Sequence, residues 1–268
     1  MCKKIANSVL AAIVTSALIL LTACTLAVDP STAPLKDAPT SPPPPELPSG
    51  VAAGDVDQTS VVLWTRAGEP GVITFAIAST LSTQIVVTAT VTDPLRPVTV
   101  TATGLTPGMR YDYRAEAAGG ATASGTLRTP QGPGKQHGLR FGASGDWRGS
   151  LTPYVALANA ADHDLDFFIA LGDTVYADLA SPAVPKRQAE TLAEFRQKHA
   201  EFYATAKGLS PLADLRASTA IFATIDDHEV LNDFAGGARA ERDSRFPETS
   251  GRINQTALYD HALQSFQE

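Results

Sequence analysis

Three short runs hold most of the side chains that could do chemistry: Ser144-Gly145-Asp146-Trp147-Arg148-Gly149, Gly172-Asp173-Thr174-Val175-Tyr176 and Asp226-Asp227-His228-Glu229. Asp146, Asp173, Tyr176 and Asp227 offer hard oxygen donors of the kind that hold two cations a few ångströms apart. Such a pair binds phosphate oxygens, lowers the pKa of a water between the ions and drives in-line displacement. His228, beside one of these donors, could donate to a phosphate oxygen or protonate a leaving group. Arg148 and Asn232 are further candidates for phosphate contact. Each residue also has a plainer reading. Asp146 alone fits a helix N-cap, Asp173 a turn, and Tyr176 a core position. Adjacent Asp226 and Asp227 are costly if buried without a counter-charge, which favours a cation over an empty acidic site. Asp226 suits a supporting role behind a ligand, and Glu229 a structural one. His137 and His163 read as solvated loop residues, and His199 and His261 as packing residues within helices.

Each run ends an apolar stretch of strand length. Residues 139–143, 166–171 and 220–225 read as buried strands, separated by helical patterns. A helix is expected over 153–161. Another has Leu192, Phe195, His199, Phe202 and Ala206 on one face. Strands alternating with helices imply βαβ units, and open α/β sheets bind ligands beyond the carboxyl ends of their strands. All three acidic runs fall at such ends. Residues 252–268 read as an amphipathic helix with Ile253, Ala257, Leu258 and Phe266 inward.

Ahead of this segment, residues 50–130 alternate with a period of two. Ile73, Phe75 and Ile77 share a face, as do Ile85, Val87, Ala89 and Val91, and Tyr111, Tyr113, Ala115 and Ala117. Turn signals at Glu69-Pro70-Gly71, Asp93-Pro94, Thr106-Pro107-Gly108 and Gly119-Gly120 separate them, the pattern of a β-sandwich. Leu105 to Tyr111 resembles the tyrosine corner of fibronectin type III domains. Trp64 is expected in the core, and Asp55 and Asp57 as loop caps. The domain carries no metal-ligand cluster and reads as a positioning module.

Both cysteines, Cys2 and Cys24, lie near the N-terminus. The body therefore has no disulfide framework and no thiolate cluster. Lys3 and Lys4, an apolar stretch and Leu21-Thr22-Ala23-Cys24 have the form of a secretory signal, too short to span a bilayer. The ending resembles a bacterial lipobox, which implies acylation at Cys24. Residues 1–23 would be the signal peptide, and 24–49, rich in proline, an extended tether. The expected location is the periplasmic face of an outer membrane, with lipid as the only membrane contact. The net charge of −7 argues against a basic nucleic-acid-binding face.

The run Gly-Asp-x-x-Tyr at 172–176 and Asp-Asp-His-Glu at 226–229 resemble the PhoD-type alkaline phosphatases and phosphodiesterases of the metallophosphoesterase superfamily. Gly54-Asp55 and residues 60–66 resemble that group's N-terminal β domain. The resemblance spans about 50–268. It implies a fibronectin type III-like sandwich at 50–130, followed at 137–268 by a partial metallophosphoesterase domain of the four-layer type. It implies hydrolysis of phosphate esters with two or more metal ions, Fe3+ and Ca2+, on a small-molecule substrate. Asp173 would bridge the ions, with Asp146 and Tyr176 on one and Asp227 on the other. Three departures stand out. Many members carry a cysteine in the first loop, where this chain has Gly145 and Asp146 takes the role. A twin-arginine leader is missing. The histidine ligands that later strands supply in the superfamily are not reached, which leads to the expectation of a C-terminally truncated enzyme. The alternative is a non-catalytic envelope lipoprotein that serves as a binding module, or an inactive fragment.

Overall fold

The structure is a computed structural model that describes residues 47–205, 209–234 and 252–268. Cys24, the signal and nearly all of the tether lie outside the described residues, as does Ala206. Seven strands come first: β1 (Val51–Gly54), β2 (Ser60–Thr65), β3 (Gly71–Ser79), β4 (Ser82–Val91), β5 (Val98–Thr103), β6 (Arg110–Ala117) and β7 (Thr122–Arg128). Their alternation is the cause of the packing. Val61, Leu63 and Thr65 of β2, Ile73, Phe75 and Ile77 of β3, and Tyr111, Tyr113 and Ala115 of β6 are all buried, and most meet in one core between two sheets. The Tyr111 hydroxyl accepts the Thr106 N–H at 2.8 Å, which closes the corner before β6. Asp57 accepts the N–H groups of Thr59 and Ser60, so it caps a loop.

Trp64 departs from the expectation. Its neighbours in β2 point into the sandwich, so period two turns Trp64 to the opposite face. There its indole N–H donates to the Glu268 carbonyl at 3.0 Å, and its ring lies against Tyr203 and Arg216.

The second set comprises β8 (Phe141–Ser144), β9 (Phe167–Ala170), α1 (Leu192–Phe202), α2 (Pro211–Ser218), β10 (Ala220–Ala223) and α3 (Ala257–Gln267). β8, β9 and β10 are parallel neighbours, and β10 also pairs with β1 through Ala53 and Ala220. A single six-stranded sheet results, ordered β5-β2-β1-β10-β9-β8, beside a four-stranded sheet ordered β4-β3-β6-β7. The sandwich and the parallel strands thus share a sheet.

The helix expected over 153–161 is replaced by 3-10 turns at Val155–Leu157 and Ala160–His163. Tyr154, Leu157 and Ala160 recur every third residue and pack on the core of Trp147, Phe168 and Phe202. That spacing suits three residues per turn, not 3.6. α1 forms where expected, opened by a capping box between Thr191 and Glu194. In α3, Leu258, Ala262 and Ser265 face inward, whereas Ala257 is exposed, because the helix begins at that residue after its Thr256 cap.

The parallel strands are less enclosed than their apolar sequence suggests. One face, carrying Phe168 and Ile221, packs on the core beneath α1 and α2. The other carries Phe141, Phe167, Ile169 and Phe222, with Phe141 55% and Phe222 39% exposed. The aromatic rings on it stack on one another: Phe141 and Phe167 lie 5.2 Å apart, and Phe167 and Phe222 meet edge-on.

Candidate metal centre

The three acidic runs emerge side by side because β8, β9 and β10 are parallel and in register. Their loops continue the ladder: the Trp147 N–H donates to the Asp173 carbonyl at 2.7 Å, and the Thr224 N–H to the Ala170 carbonyl at 2.9 Å. Gly172 allows the loops to meet. Its φ is +92°, and a Cβ there would lie 2.5 Å from the Asp226 Cβ, closer than atoms can approach. Asp173 follows at φ 53° and Asp146 at φ 60°, left-handed conformations that Asp tolerates better than most residues. Both aspartates therefore sit at sharp turns out of their strands.

Asp173, Asp227 and His228 come together. One ligand atom from each lies within 4.8 Å of the other two. Asp173 is buried, its carboxylate accepting the His228 N–H at 3.3 Å. Burial pushes the Asp173 carboxyl up from the usual range, and the Asp227 charge adds to this, while His228 and the Tyr176 hydroxyl oppose it. Tyr176 stacks on the His228 ring at 4.1 Å. Its phenol is pushed far up, first by burial and then by the Asp173, Asp146 and Asp227 charges, and it donates to Asp173. Burial lowers the His228 imidazole, but the carboxylates of Asp178, Asp173 and Asp227 outweigh it and hold it above its ordinary value.

Asp146 is exposed and lies outside the close trio, though near enough for its charge to act on Tyr176. Arg148 lines a small recess with Tyr176 and Lys198. Asn232 sits at the rim, its side-chain amide on Asp233 at 2.6 Å. The Asp227 carboxylate also accepts the Asp233 N–H.

Three structural partners were not legible as site residues. Glu229 is 1% exposed. It accepts the Thr174 N–H at 2.6 Å and hydroxyl at 2.7 Å with one oxygen, and the Asp226 N–H at 3.0 Å with the other. It clamps the loop after β9 to the loop after β10. Asp178 is buried against the His228 ring, and its place two residues beyond Tyr176 was the only signal available. Lys198, on the buried face of α1, donates to the Leu179 carbonyl and to Ser181 Oγ. Desolvation pulls its ammonium down from the usual lysine range.

Carboxylate oxygen, phenol oxygen and imidazole nitrogen form a donor set for a hard or intermediate cation. Burial first, and the neighbouring carboxylates after it, raise both Asp173 and Tyr176, and a cation bound there would oppose both effects.

Two family models match the chain in tandem: "PhoD-like phosphatase, N-terminal domain" over residues 32–131 and "PhoD-like phosphatase" over residues 142–268. The chain belongs to the PhoD-like phosphatase family. It is 30% identical over 217 residues to Alkaline phosphatase D of Bacillus subtilis (strain 168), a match covering 69% of this chain and 36% of that protein. A solved structure of PhoD superposes with a TM-score of 0.67 at 24% identity, over 86% of this chain and 47% of that one. The fold is thus shared, and the chain spans about a third of the length of this curated relative.

Proposed function

We propose that this chain carries part of a metal-dependent phosphate-ester hydrolase site centred on Asp173, Asp227 and His228. The observation that carries the proposal is the convergence of those three groups at the carboxyl ends of adjacent parallel strands, in a chain of the PhoD-like family. Asp173, Asp227, Tyr176 and Asp146 are the oxygen groups available to two cations, for which the sequence resemblance favours Fe3+ and Ca2+. Bound there, such cations supply Lewis acidity toward phosphoryl oxygens. The chain's own part is to fix the donors: Glu229 holds the two loops together, and the stacked Tyr176 and His228 rings limit each other's rotation. Arg148 and Asn232 are placed to meet an anionic ester at the rim.

The finer architecture belongs to the same reading. We take 50–130 as a fibronectin type III-like sandwich, supported by the Tyr111 corner, and 137–268 as part of a four-layer metallophosphoesterase domain. Acylation at Cys24, the tether over 24–49 and the periplasmic face of an outer membrane rest on the lipobox-like ending.

The direct test supplies Fe3+ and Ca2+ to the purified 268-residue chain. It measures bound metal, and turnover of a chromogenic phosphomonoester and phosphodiester. Stoichiometric metal that is lost in Asp173→Asn, with any turnover lost alongside, supports the reading. Turnover that survives in Asp173→Asn would overturn it.

A further inference from the structure

The sheet face beneath the helices is not filled along its length. Phe168 and Ile221 pair there and carry the core, but the next pair on that face is Ala170 and Ala223. Two methyl groups side by side leave a cavity of about 80 Å³ between the strands and α1, α2 and α3, walled by Trp147, Phe168, Phe202 and Leu212. Packed interiors hold few voids larger than a water molecule. His199, Tyr203, Arg216, Ala223 and Phe266 line both this cavity and a neighbouring chamber of about 320 Å³, which reaches β1 and β2 and has Trp64 on its wall.

Arg216 stands at the junction, 5% exposed, and is the only cationic side chain on either lining. Its Nη1 donates to the Ser49 carbonyl at 3.1 Å, and its guanidinium lies over the Trp64 and Tyr203 rings. Burial lowers the guanidinium, and the groups that oppose this are the phenols of Tyr203 and Tyr113, so no carboxylate among the described residues balances it. Glu268, on the outer wall, is already held by Arg196 at 2.6 Å and 2.7 Å, and Asp55 is exposed at the rim. Burial holds the His199 imidazole down at about 4, so that ring is uncharged at neutral pH. A buried cation without a counter-ion is costly, and two aromatic faces offset only part of that cost. The guanidinium fork offers five N–H donors in the plane that suits a carboxylate.

We propose that the cavity is a binding site for a small aliphatic monocarboxylate, with its carboxylate on Arg216 and its chain among Trp147, Phe168 and Phe202. The apolar walls disfavour a strongly hydrated dianion such as phosphate. The site is separate from the acidic runs and touches their loops from behind, through Trp147 and Thr174. It therefore stands or falls independently of the cation reading.

Trp64 and Trp147 are the only two tryptophans of the chain, and each lines one part of the site, so intrinsic fluorescence reports on it directly. The test titrates the 268-residue chain, without metal, with hexanoate, hexanamide and acetate, and follows the thermal midpoint alongside. Hexanoate should change the fluorescence saturably and raise the midpoint. Hexanamide keeps the chain without the charge, and acetate the charge without the chain; each should bind at least about tenfold more weakly. Arg216→Met should erase the preference for hexanoate over hexanamide. Should that variant fail to fold, Ala223→Leu decides, because it fills the space and leaves Arg216 in place: hexanoate binding should be lost from a chain that still melts cooperatively. Hexanoate binding that survives Ala223→Leu, or hexanamide binding as tight as that of hexanoate to wild type, overturns the proposal. A wild-type chain that responds to none of the three ligands overturns it as well, and leaves the cavity a packing void.

Discussion

At the scale of single residues, the site concentrates negative charge and half-buries it. Asp173 and Tyr176 both hold their protons more tightly than usual because burial and neighbouring carboxylates oppose ionisation. A cation reverses that balance. Asp173→Asn should therefore weaken cation binding by at least about tenfold, roughly 1.4 kcal/mol, since an amide keeps the shape but loses the charge; isothermal titration with Ca2+ or Co2+ measures it. Tyr176→Phe should leave Co2+ binding detectable but abolish any visible charge-transfer band in the Fe3+-loaded chain. A band that persists would place the phenol off the metal. Asp173, Tyr176 and Asp227 were legible in sequence because each follows an apolar run, and strand ends are where α/β sheets bind ligands. Asp178 was not legible in this way. Its role depends on the fold-back of 177–189 against 228–230, through the Ala177–His228 and Ala189–Ala177 bonds, and no local pattern encodes that pairing.

At the scale of elements, the loops after β9 and β10 behave as one clamped unit. Gly172 supplies the close approach and Glu229 supplies the bonds. Gly172→Ala combines a strained positive φ with a contact to Asp226 that cannot be relieved by a flexible tip. A loss of about 2 kcal/mol or more follows. Glu229→Ala strands the buried Thr174 N–H and hydroxyl and the part-buried Asp226 N–H, for about 3 kcal/mol, which corresponds to a thermal midpoint lower by roughly 10 °C in a chain of this size. Urea unfolding of both variants checks this, and a Glu229→Ala midpoint equal to wild type would show that water replaces the clamp. The elements themselves were legible where periodicity is strong, as in β3, β6 and α1. The structure departs from the expected helix at 153–161, where apolar residues recur at every third position, and from the expected core place of Trp64, because period two from buried Val61 and Leu63 turns that ring to the opposite face.

At the scale of the whole molecule, the sandwich and the parallel strands hold together through a shared sheet and a charged, aromatic contact behind it. The Arg216 guanidinium lies 4.2 Å from the Trp64 ring and 4.1 Å from the Tyr203 ring, and donates to the Ser49 carbonyl. The sharing of one sheet was hidden from sequence, because the β1–β10 pairing joins residues far apart in the chain. Beside this contact, burial pushes the His199 imidazole down to about 4, with Glu268 opposing. The folded state thus prefers the neutral ring, so this contribution is complete above the ordinary histidine pKa of about 6.5. It is lost as pH falls toward 4, by up to about 3 kcal/mol. The thermal midpoint of wild type should fall more steeply between pH 6.5 and 4.5 than that of His199→Gln, and parallel curves would show that His199 is free to ionise. The exposed sheet face sets the remaining behaviour. Phe141, Phe167, Ile169 and Phe222 form one apolar surface on adjacent strands, and β8 is an edge strand among the described residues. Such surfaces mark sites of association. The isolated 268-residue chain should bind a hydrophobic dye and show a concentration-dependent mass in sedimentation. Phe141→Lys with Phe222→Lys should reduce both while sparing Co2+ binding, because the altered side chains lie on the strands rather than in the loops that carry Asp173 and Asp227. A wild-type chain that stays monomeric and dark to the dye at high concentration would show that this face is covered in solution.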